Sequence, residues 1–253
     1  MYTICFYNHK GGVGKTSVTG AIAGELIMQG KKVLMIDTDS QGNLSTQFMN
    51  GSEIENELAD YLYDDSIGLD NVIRKTRYDN LYIIPPRKLS NKGQLDKWVQ
   101  REAGVETAGA ISKMLRNLQK YSFDYVLFDM PPSYTELDKM VLKAADEVIP
   151  ILQIAKTSMD GLVDFYVQLK KIKDDSEKPI CKKLIFNQYE KAKAVQKALL
   201  PNIEALKSSK YLIPTDQVFK KAELQCMAIQ EIGPKKETSE VLNQIIKDIQ
   251  ENK

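Results

Sequence analysis

The chain has 253 residues, with 35 Lys and Arg against 34 Asp and Glu, so its formal net charge is +1. This length and a composition that is 43% hydrophobic and 27% charged predict a folded globular protein with a sizeable core and exclude a disordered or fibrous one. Because the net charge is close to zero, binding to nucleic acid or membrane would need a local patch.

The cysteines and the N-terminus indicate where the protein works. Cys5, Cys181 and Cys226 are far apart and form no Cys-x-x-Cys pair, so neither a disulfide framework nor a zinc site is expected. No uncharged apolar run approaches the ~18 residues of a spanning helix, and no basic segment with an apolar stretch opens the chain. We therefore expect a cytoplasmic protein.

The first elements form a βαβ unit. Residues 2–7 are β-branched and aromatic, which predicts a buried strand, and they run into a glycine turn. A helix is expected from Thr16, with Gly30 as its stop, and residues 33–36 indicate a second buried strand. The crossover rule makes these two strands parallel.

The same alternation continues along the chain. Apolar residues three or four apart predict helices at 111–118 and 162–172, and 55–63 is a further plausible helix. We find no repeat, low-complexity segment or linker and interpret residues 1–253 as a single α/β domain, a doubly wound, mostly parallel sheet with helices on both faces. Further strands are predicted at 81–84, 125–128, 148–152 and 184–186.

The turn after the first strand has the pattern of a phosphate-binding P-loop. Glycines let backbone N–H groups converge on phosphate oxygens, and the helix N-terminus adds its positive end. Lys15 would reach the terminal phosphates, and the Thr16 hydroxyl would bind Mg²⁺. The residues predicted to bind the nucleotide are Gly11, Gly12, Val13, Gly14, Lys15, Thr16 and Ser17.

The loop departs from the usual P-loop pattern at positions 9 and 10. Position 9 is His9 instead of glycine, and a second lysine, Lys10, follows it. Lys-Gly-Gly-x-Gly-Lys-Thr resembles the deviant Walker A box of the ParA/MinD group of P-loop ATPases. In that group the first lysine reaches the phosphates of the ATP held by the partner of a nucleotide-sandwich dimer, which the resemblance implies for Lys10. We interpret His9, the only histidine, as a loop residue without a catalytic role.

Acidic residues at the carboxyl ends of the strands are the next candidates, because ligands of open α/β sheets bind there. Asp129 follows Tyr-Val-Leu-Phe and is predicted to be a Walker B carboxylate that holds the hydration shell of Mg²⁺. Residues 33–43 resemble the second-strand box of the ParA family, with Ser40 where proline is usual. The resemblance assigns Asp39 to positioning the attacking water and Asp37 to the magnesium shell; alternatively, both only cap the following turn.

The resemblance to ParA-type partition ATPases covers nearly the whole chain, although Met130 stands where threonine is common. It implies an ATP- and Mg²⁺-dependent ATPase with weak intrinsic turnover that dimerises with ATP and binds DNA nonspecifically. It also implies a ParB-like centromere-binding partner, a role in plasmid or chromosome partition, and a nucleoid-associated location. On the family pattern Asn187, Pro214 and Asp216 would lie near adenine.

The C-terminal part departs from the family in its basic residues. The last arginine is Arg116, and from residue 151 onward 18 lysines stand against 14 Asp and Glu. Lysine suffices for nonspecific DNA binding, which needs point charges, although solvated lysines are common on any surface. The candidate DNA-binding residues are Lys182, Lys183, Lys207, Lys210, Lys220, Lys221, Lys235 and Lys236.

Two other functions stay open. A MinD-like ATPase at a membrane or protein surface would need a basic amphipathic C-terminal helix. The apolar residues from Val241 to Ile249 form a stripe, but the polar face is slightly acidic, which favours packing on the sheet and no membrane partner. A nucleotide-switched regulator with little turnover would share the same nucleotide site.

Overall fold

The computed structural model describes residues 1–49, 56–86, 109–173 and 177–251. Its strands are β1 (Tyr2–Tyr7), β2 (Val33–Asp37), β3 (Arg74–Lys75), β4 (Leu81–Ile84), β5 (Tyr125–Asp129), β6 (Glu147–Leu152), β7 (Lys183–Tyr189) and β8 (Ser209–Pro214). Its α-helices are α1 (Lys15–Met28), α2 (Asn43–Met49), α3 (Leu58–Tyr63), α4 (Ala110–Leu118), α5 (Glu136–Ala144), α6 (Lys156–Lys173), α7 (Ala194–Glu204), α8 (Gln217–Gln225), α9 (Ile229–Ile232) and α10 (Lys236–Glu251).

The strands form one eight-stranded sheet in the order β3-β4-β2-β5-β1-β6-β7-β8. All neighbours pair in parallel except β3, which runs antiparallel to β4 at one edge. Because the parallel strands end on the same side, β1, β2 and β5 deliver their following loops to one place. In the register of β2 with β5, Asp37 lies opposite Asp129.

The core has two layers, one on each face of the sheet. Alternate residues of β1 show why: Cys5 and Tyr7 pack with α4, α5 and α6, whereas Ile4 and Phe6 pack with α1, α2 and α10. A strand buried on both faces is typical of a sheet with helices on each side. The predicted doubly wound architecture is confirmed.

Some boundaries differ from the prediction. The helix predicted at 55–63 begins at Leu58, because the Asp60 carboxylate accepts the Glu57 N–H (3.0 Å) and caps the helix there; position 55 lies outside the described residues. Strands β3 and β8 were not predicted. β3 is only two residues long, and β8 has a short apolar run between Lys210 and Pro214.

The C-terminal helix α10 packs into the core. Leu242, Ile245, Ile246 and Ile249 are fully buried in the layer that also holds α1. The prediction that this apolar stripe packs within the domain is confirmed. Within the described residues, no helix combines the length and apolar character needed to cross a bilayer.

Candidate nucleotide-binding site

The loop between β1 and α1 needs glycine at two positions. Gly12 has φ 75°, and Gly14, just before α1, has φ 90°, a left-handed backbone that strains residues with a Cβ. A Cβ on Gly14 would also lie 2.3 Å from Nδ2 of Asn187. The loop thus keeps a bare backbone whose N–H groups, with the N-terminus of α1, can converge on phosphate oxygens.

Lys15 folds its side chain into this loop. It is only 7% exposed, and its Nζ donates to the carbonyl oxygens of Asn8 (3.0 Å) and Lys10 (3.3 Å). Burial lowers the pKa of Lys15, and the nearby carboxylates of Asp129 and Asp39 act in the opposite direction. The ammonium is placed where it can neutralise phosphates held by the loop.

Asp37 and Asp129 are two neighbouring carboxylates with almost no exposure to solvent. Asp37 accepts hydrogen bonds from the N–H (3.0 Å) and hydroxyl (2.8 Å) of Ser45 and from the N–H of Asp39 (3.1 Å). Burial raises the pKa of both carboxyls, and the negative charge of Asp129 raises the pKa of Asp37 further. A bound cation would relieve both effects.

The residues around Asp129 fit a Mg²⁺ ion. Its Oδ1 lies 3.4 Å from the Thr19 hydroxyl, and the nearby Thr16 side chain acts to lower the pKa of this carboxyl. Its buried Oδ2 has no hydrogen-bond partner within the described part of the chain. Buried carboxylate oxygens normally have a partner, and Mg²⁺ with its bound waters prefers oxygen ligands of this kind. Thr16 and Asp129 could therefore hold the ion, with Asp37 beside them.

Asp39 lies beyond the end of β2 and is partly exposed. Its Oδ1 accepts the N–H of Gln41 (2.9 Å), so it does cap the following turn. It also lines a cavity of about 430 Å³ together with the phosphate loop. The two interpretations of Asp39, turn cap and site residue, are thus compatible.

That cavity shows which predicted residues come together. It contains Asp39 and six loop residues, Gly11, Gly12, Gly14, Lys15, Thr16 and Ser17. The side chain of Val13 instead points into the core, so only its backbone is available to a ligand. Sequence reasoning missed five lining residues, Asn43, Gln47, Pro132, Gln188 and Glu223. A larger groove of about 660 Å³ between α3 and α4 contains none of the motif residues.

The three residues predicted near adenine are already engaged by protein atoms or lie at a strand end. Asn187 is buried and donates from Nδ2 to the Val13 carbonyl (2.9 Å), so it braces the phosphate loop. Asp216 caps α8 through the Val218 N–H (3.1 Å) and accepts the Lys235 N–H (2.8 Å). Pro214 ends β8. Any contact with adenine stays a prediction.

The prediction that Lys183 contacts DNA was wrong. Its side chain is 1% exposed, and its Nζ donates to Oε1 of the equally buried Glu147 at 2.8 Å. Lys183 is the first residue of the buried strand β7, whereas the adjacent Lys182 precedes the strand and is exposed. A lysine whose charge is used inside the protein cannot contact a phosphate on DNA.

The remaining candidate lysines form two groups at opposite ends of the sheet. The first group lies at the amino ends of β7 and β8, where Ser209 donates its N–H to the Lys182 carbonyl (2.7 Å). The second group lies beyond the carboxyl end of β8, at the same end of the sheet as the phosphate loop. The first group comprises Lys182, Lys207 and Lys210, and the second Lys220, Lys221, Lys235 and Lys236.

A glycine loop between β1 and α1, a lysine inside it, and buried carboxylates at the ends of β2 and β5 define a P-loop nucleotide-binding protein. A family model described as an AAA domain (AAA_31) matches residues 1–180. The chain belongs to this family and, within it, to the ParA/Soj group that the sequence predicted.

The curated relatives include Soj proteins. The sporulation initiation inhibitor protein Soj of Bacillus subtilis is 31% identical over 63% of this chain and 61% of its own length. The chromosome-partitioning ATPase Soj of Treponema pallidum is 32% identical over 67% of this chain and 64% of its own. The chain thus matches less than two thirds of the length of either Soj protein.

Solved structures show the same fold. The septum site-determining protein MinD from Pyrococcus horikoshii, complexed with Mg-ADP, has a TM-score of 0.77 at 21% identity, over 98% of this chain and 95% of that one. A plasmid partition protein from Borrelia burgdorferi has a TM-score of 0.72 at 23% identity, over 91% and 96%. At these identities the likeness concerns the fold alone.

Proposed function

We propose that this protein is a Mg²⁺-dependent ATPase that encloses ATP between two copies of the chain and binds DNA nonspecifically in that state. With a ParB-like centromere-binding partner it would drive plasmid or chromosome partition, in the cytoplasm and on the nucleoid. The sequence similarity to two Soj proteins and the two lysines of the phosphate loop support this proposal.

The observation that carries the proposal is the different placement of Lys10 and Lys15. Lys15 is buried in the loop with its Nζ bonded to loop carbonyls, whereas the side chain of Lys10 is exposed. A cation inside the loop serves the nucleotide bound there. An exposed cation on the rim is available to phosphates held by another molecule, where it would stabilise charge as an arginine finger does.

The remaining residues have separate tasks in hydrolysis. Backbone N–H groups from Gly11 to Thr16 bind the phosphates, and Lys15 neutralises them. Mg²⁺, held by the Thr16 hydroxyl and Asp129, would withdraw charge from the phosphate oxygens. Asp39, on the cavity wall, would orient the attacking water by accepting a hydrogen bond from it.

The test is retention on nonspecific duplex DNA with ATP, with ADP and without nucleotide, titrated with salt. We expect retention only with ATP, and a linear fall of log K against log salt, because binding releases counterions from the DNA phosphates. The fold of each sample is checked by its melting temperature.

Equal retention in all three nucleotide states would contradict an ATP-controlled DNA binder. Absence of retention in every state, with an ATP-dependent dimer intact, would remove DNA from the mechanism. The site would then serve a protein or membrane surface.

A further inference from the structure

His9 occupies a loop position but is held by side chains from other elements. Its Nε2 lies 2.9 Å from Oε1 of Gln168 in α6, and the Tyr7 hydroxyl lies 3.0 Å from its Nδ1 and 2.9 Å from its Nε2. The ring also packs edge-on against the rings of Tyr7, at a centroid distance of 5.0 Å, and Tyr134, at 5.5 Å. Although His9 is exposed, its ring is thus contacted by three other residues, Tyr7, Tyr134 and Gln168.

Both polar contacts can be made at the same time. With its proton on Nε2 the ring donates to Gln168 Oε1 and leaves Nδ1 as an acceptor. The Tyr7 hydroxyl, which lies against both ring nitrogens and 3.3 Å from the Ser133 carbonyl, can donate to that Nδ1 or to the carbonyl. Tyr7 is 1% exposed and belongs to the core, so its hydroxyl is a fixed point. His9 therefore ties the start of the phosphate loop to the core through Tyr7 and to α6 through Gln168.

The backbone of Lys10 is held by hydrogen bonds to Asn8 and Lys15. Its N–H donates to Oδ1 of Asn8 (2.8 Å), and its carbonyl accepts from Lys15 Nζ (3.3 Å). Asn8 is itself anchored, because its Nδ2 donates to the Ile151 carbonyl of β6 (2.5 Å). With the His9 ring held by its neighbours and the Lys10 peptide held by Asn8, the backbone from which the exposed Lys10 side chain projects is fixed.

We propose that His9 is a positioning residue for Lys10, which holds that lysine in the direction from which it reaches phosphates on a second copy of the chain. This inference rests on the proposed function, in which Lys10 acts across the dimer. Without the His9 anchor, Lys10 must be ordered when the dimer forms. That loss of conformational freedom weakens association.

The test measures dimerisation with a non-hydrolysable ATP analogue by sedimentation velocity, and monomer affinity for the same analogue by calorimetry. H9A should weaken dimerisation about five- to tenfold, since the free energy needed to immobilise one side chain corresponds to about that factor in the dissociation constant. Its affinity for the analogue should change by less than about twofold. H9Q, which retains a donor toward Gln168, should recover most of the loss. Q168A, which removes the partner of His9 in α6, should show part of the loss of dimerisation seen in H9A.

A coupling experiment separates this inference from the proposed function. K10A and H9A/K10A should dimerise equally poorly, because His9 acts through Lys10. Hydrogen exchange should also increase at residues 8–11 in H9A but not at 13–16. Wild-type dimerisation or wild-type exchange in H9A would overturn the inference, as would a full additional loss in the double variant. Wild-type dimerisation of K10A would instead overturn the trans role of Lys10 in the proposed function.

Discussion

Asp37 and Asp129 lie side by side with almost no solvent, and each raises the free energy of the ionised form of the other. Proteins accept such pairs where a cation or a shared proton compensates. Here the hydrogen bonds from Ser45 stabilise Asp37, whereas Oδ2 of Asp129 has no partner among the described residues. A bound metal ion would therefore stabilise the ionised form of Asp129 more than that of Asp37.

Mg²⁺ affinity in the presence of ADP should rise with pH. Burial raises the pKa of Asp129, so protons compete with the metal at low pH and leave as pH rises; one displaced proton gives up to about tenfold in affinity per pH unit. Calorimetric titrations at pH 6, 7 and 8 measure this dependence. In D129N the affinity should be weak and should change less with pH, whereas the exposed control D65N should match the wild type. An affinity that is flat with pH in the wild type would contradict the site.

Lys15 and Lys10 should separate nucleotide binding from dimerisation. K15A should weaken ATP binding about 100-fold, because it removes charge-assisted hydrogen bonds to the phosphates. K10A should bind ATP within about threefold of wild type but dimerise with ATP far more weakly. Calorimetry and light scattering measure the two properties, and K113A, an exposed lysine paired with Asp65, is the control for loss of a positive charge. Normal ATP affinity in K15A would refute the P-loop assignment.

Asp39 should affect turnover without affecting binding. D39A should keep ATP affinity and the ATP-dependent dimer, while the single-turnover rate of phosphate release falls about 100-fold or more, the usual contribution of a group that handles the proton of the nucleophile. D39N tests whether an oxygen acceptor without charge is sufficient. If D39A releases phosphate at the wild-type rate, another group positions the water.

At the scale of elements, the strands β6 and β7 are joined by the buried Lys183–Glu147 pair, to which Tyr2 of β1 adds a hydroxyl 3.4 Å from Glu147 Oε2. Burial raises the pKa of Glu147, and Lys183 opposes that rise. The pair thus holds the amino ends of three neighbouring strands together. Such a pair is costly to break from one side, because the remaining charge stays buried.

Replacing Lys183 should therefore destabilise the fold. K183M should lower the free energy of unfolding by about 3–5 kcal/mol, whereas K182A, at the exposed neighbouring position, should change it by less than about 0.5 kcal/mol. Urea denaturation followed by circular dichroism measures both. The double variant K183M/E147L should recover part of the loss, since no buried charge is then unpaired. Equal stability of K183M and K182A would contradict this role.

Elements marked by local signals could be predicted from the sequence. The phosphate loop, its flanking strand and helix, and the carboxylates after β2 and β5 follow from glycine spacing and apolar runs. The burial of Lys183 could not be predicted, because it depends on where β7 begins and on its partner Glu147, which another strand supplies. Gln188 and Glu223 reach the cavity only through the tertiary arrangement of β7 and α8.

At the scale of the molecule, the two lysine groups lie at opposite ends of the sheet, so one straight duplex should bind mainly one of them. The group beyond β8 shares its end of the sheet with the phosphate loop, where ATP can influence it. K220A/K221A should therefore reduce the salt slope of ATP-dependent DNA binding by about 0.9 for each DNA phosphate that the variant no longer neutralises, and K182A/K207A should leave it unchanged. Retention on DNA at several salt concentrations measures the slope, and the reverse result would place DNA at the amino end.

The position of β1 also has a consequence for the order of events during synthesis. β1 is the first strand of the chain, yet it lies in the middle of the sheet, where Tyr2 pairs with Tyr125 and Ile4 with Glu147. Pairings so distant along the chain form slowly. While the ribosome is still making β5 and β6, the first strand has neither neighbour, and its apolar residues must be kept from aggregating by other means. A nascent chain of this protein therefore acquires its nucleotide site only after β5 and β6 have been translated.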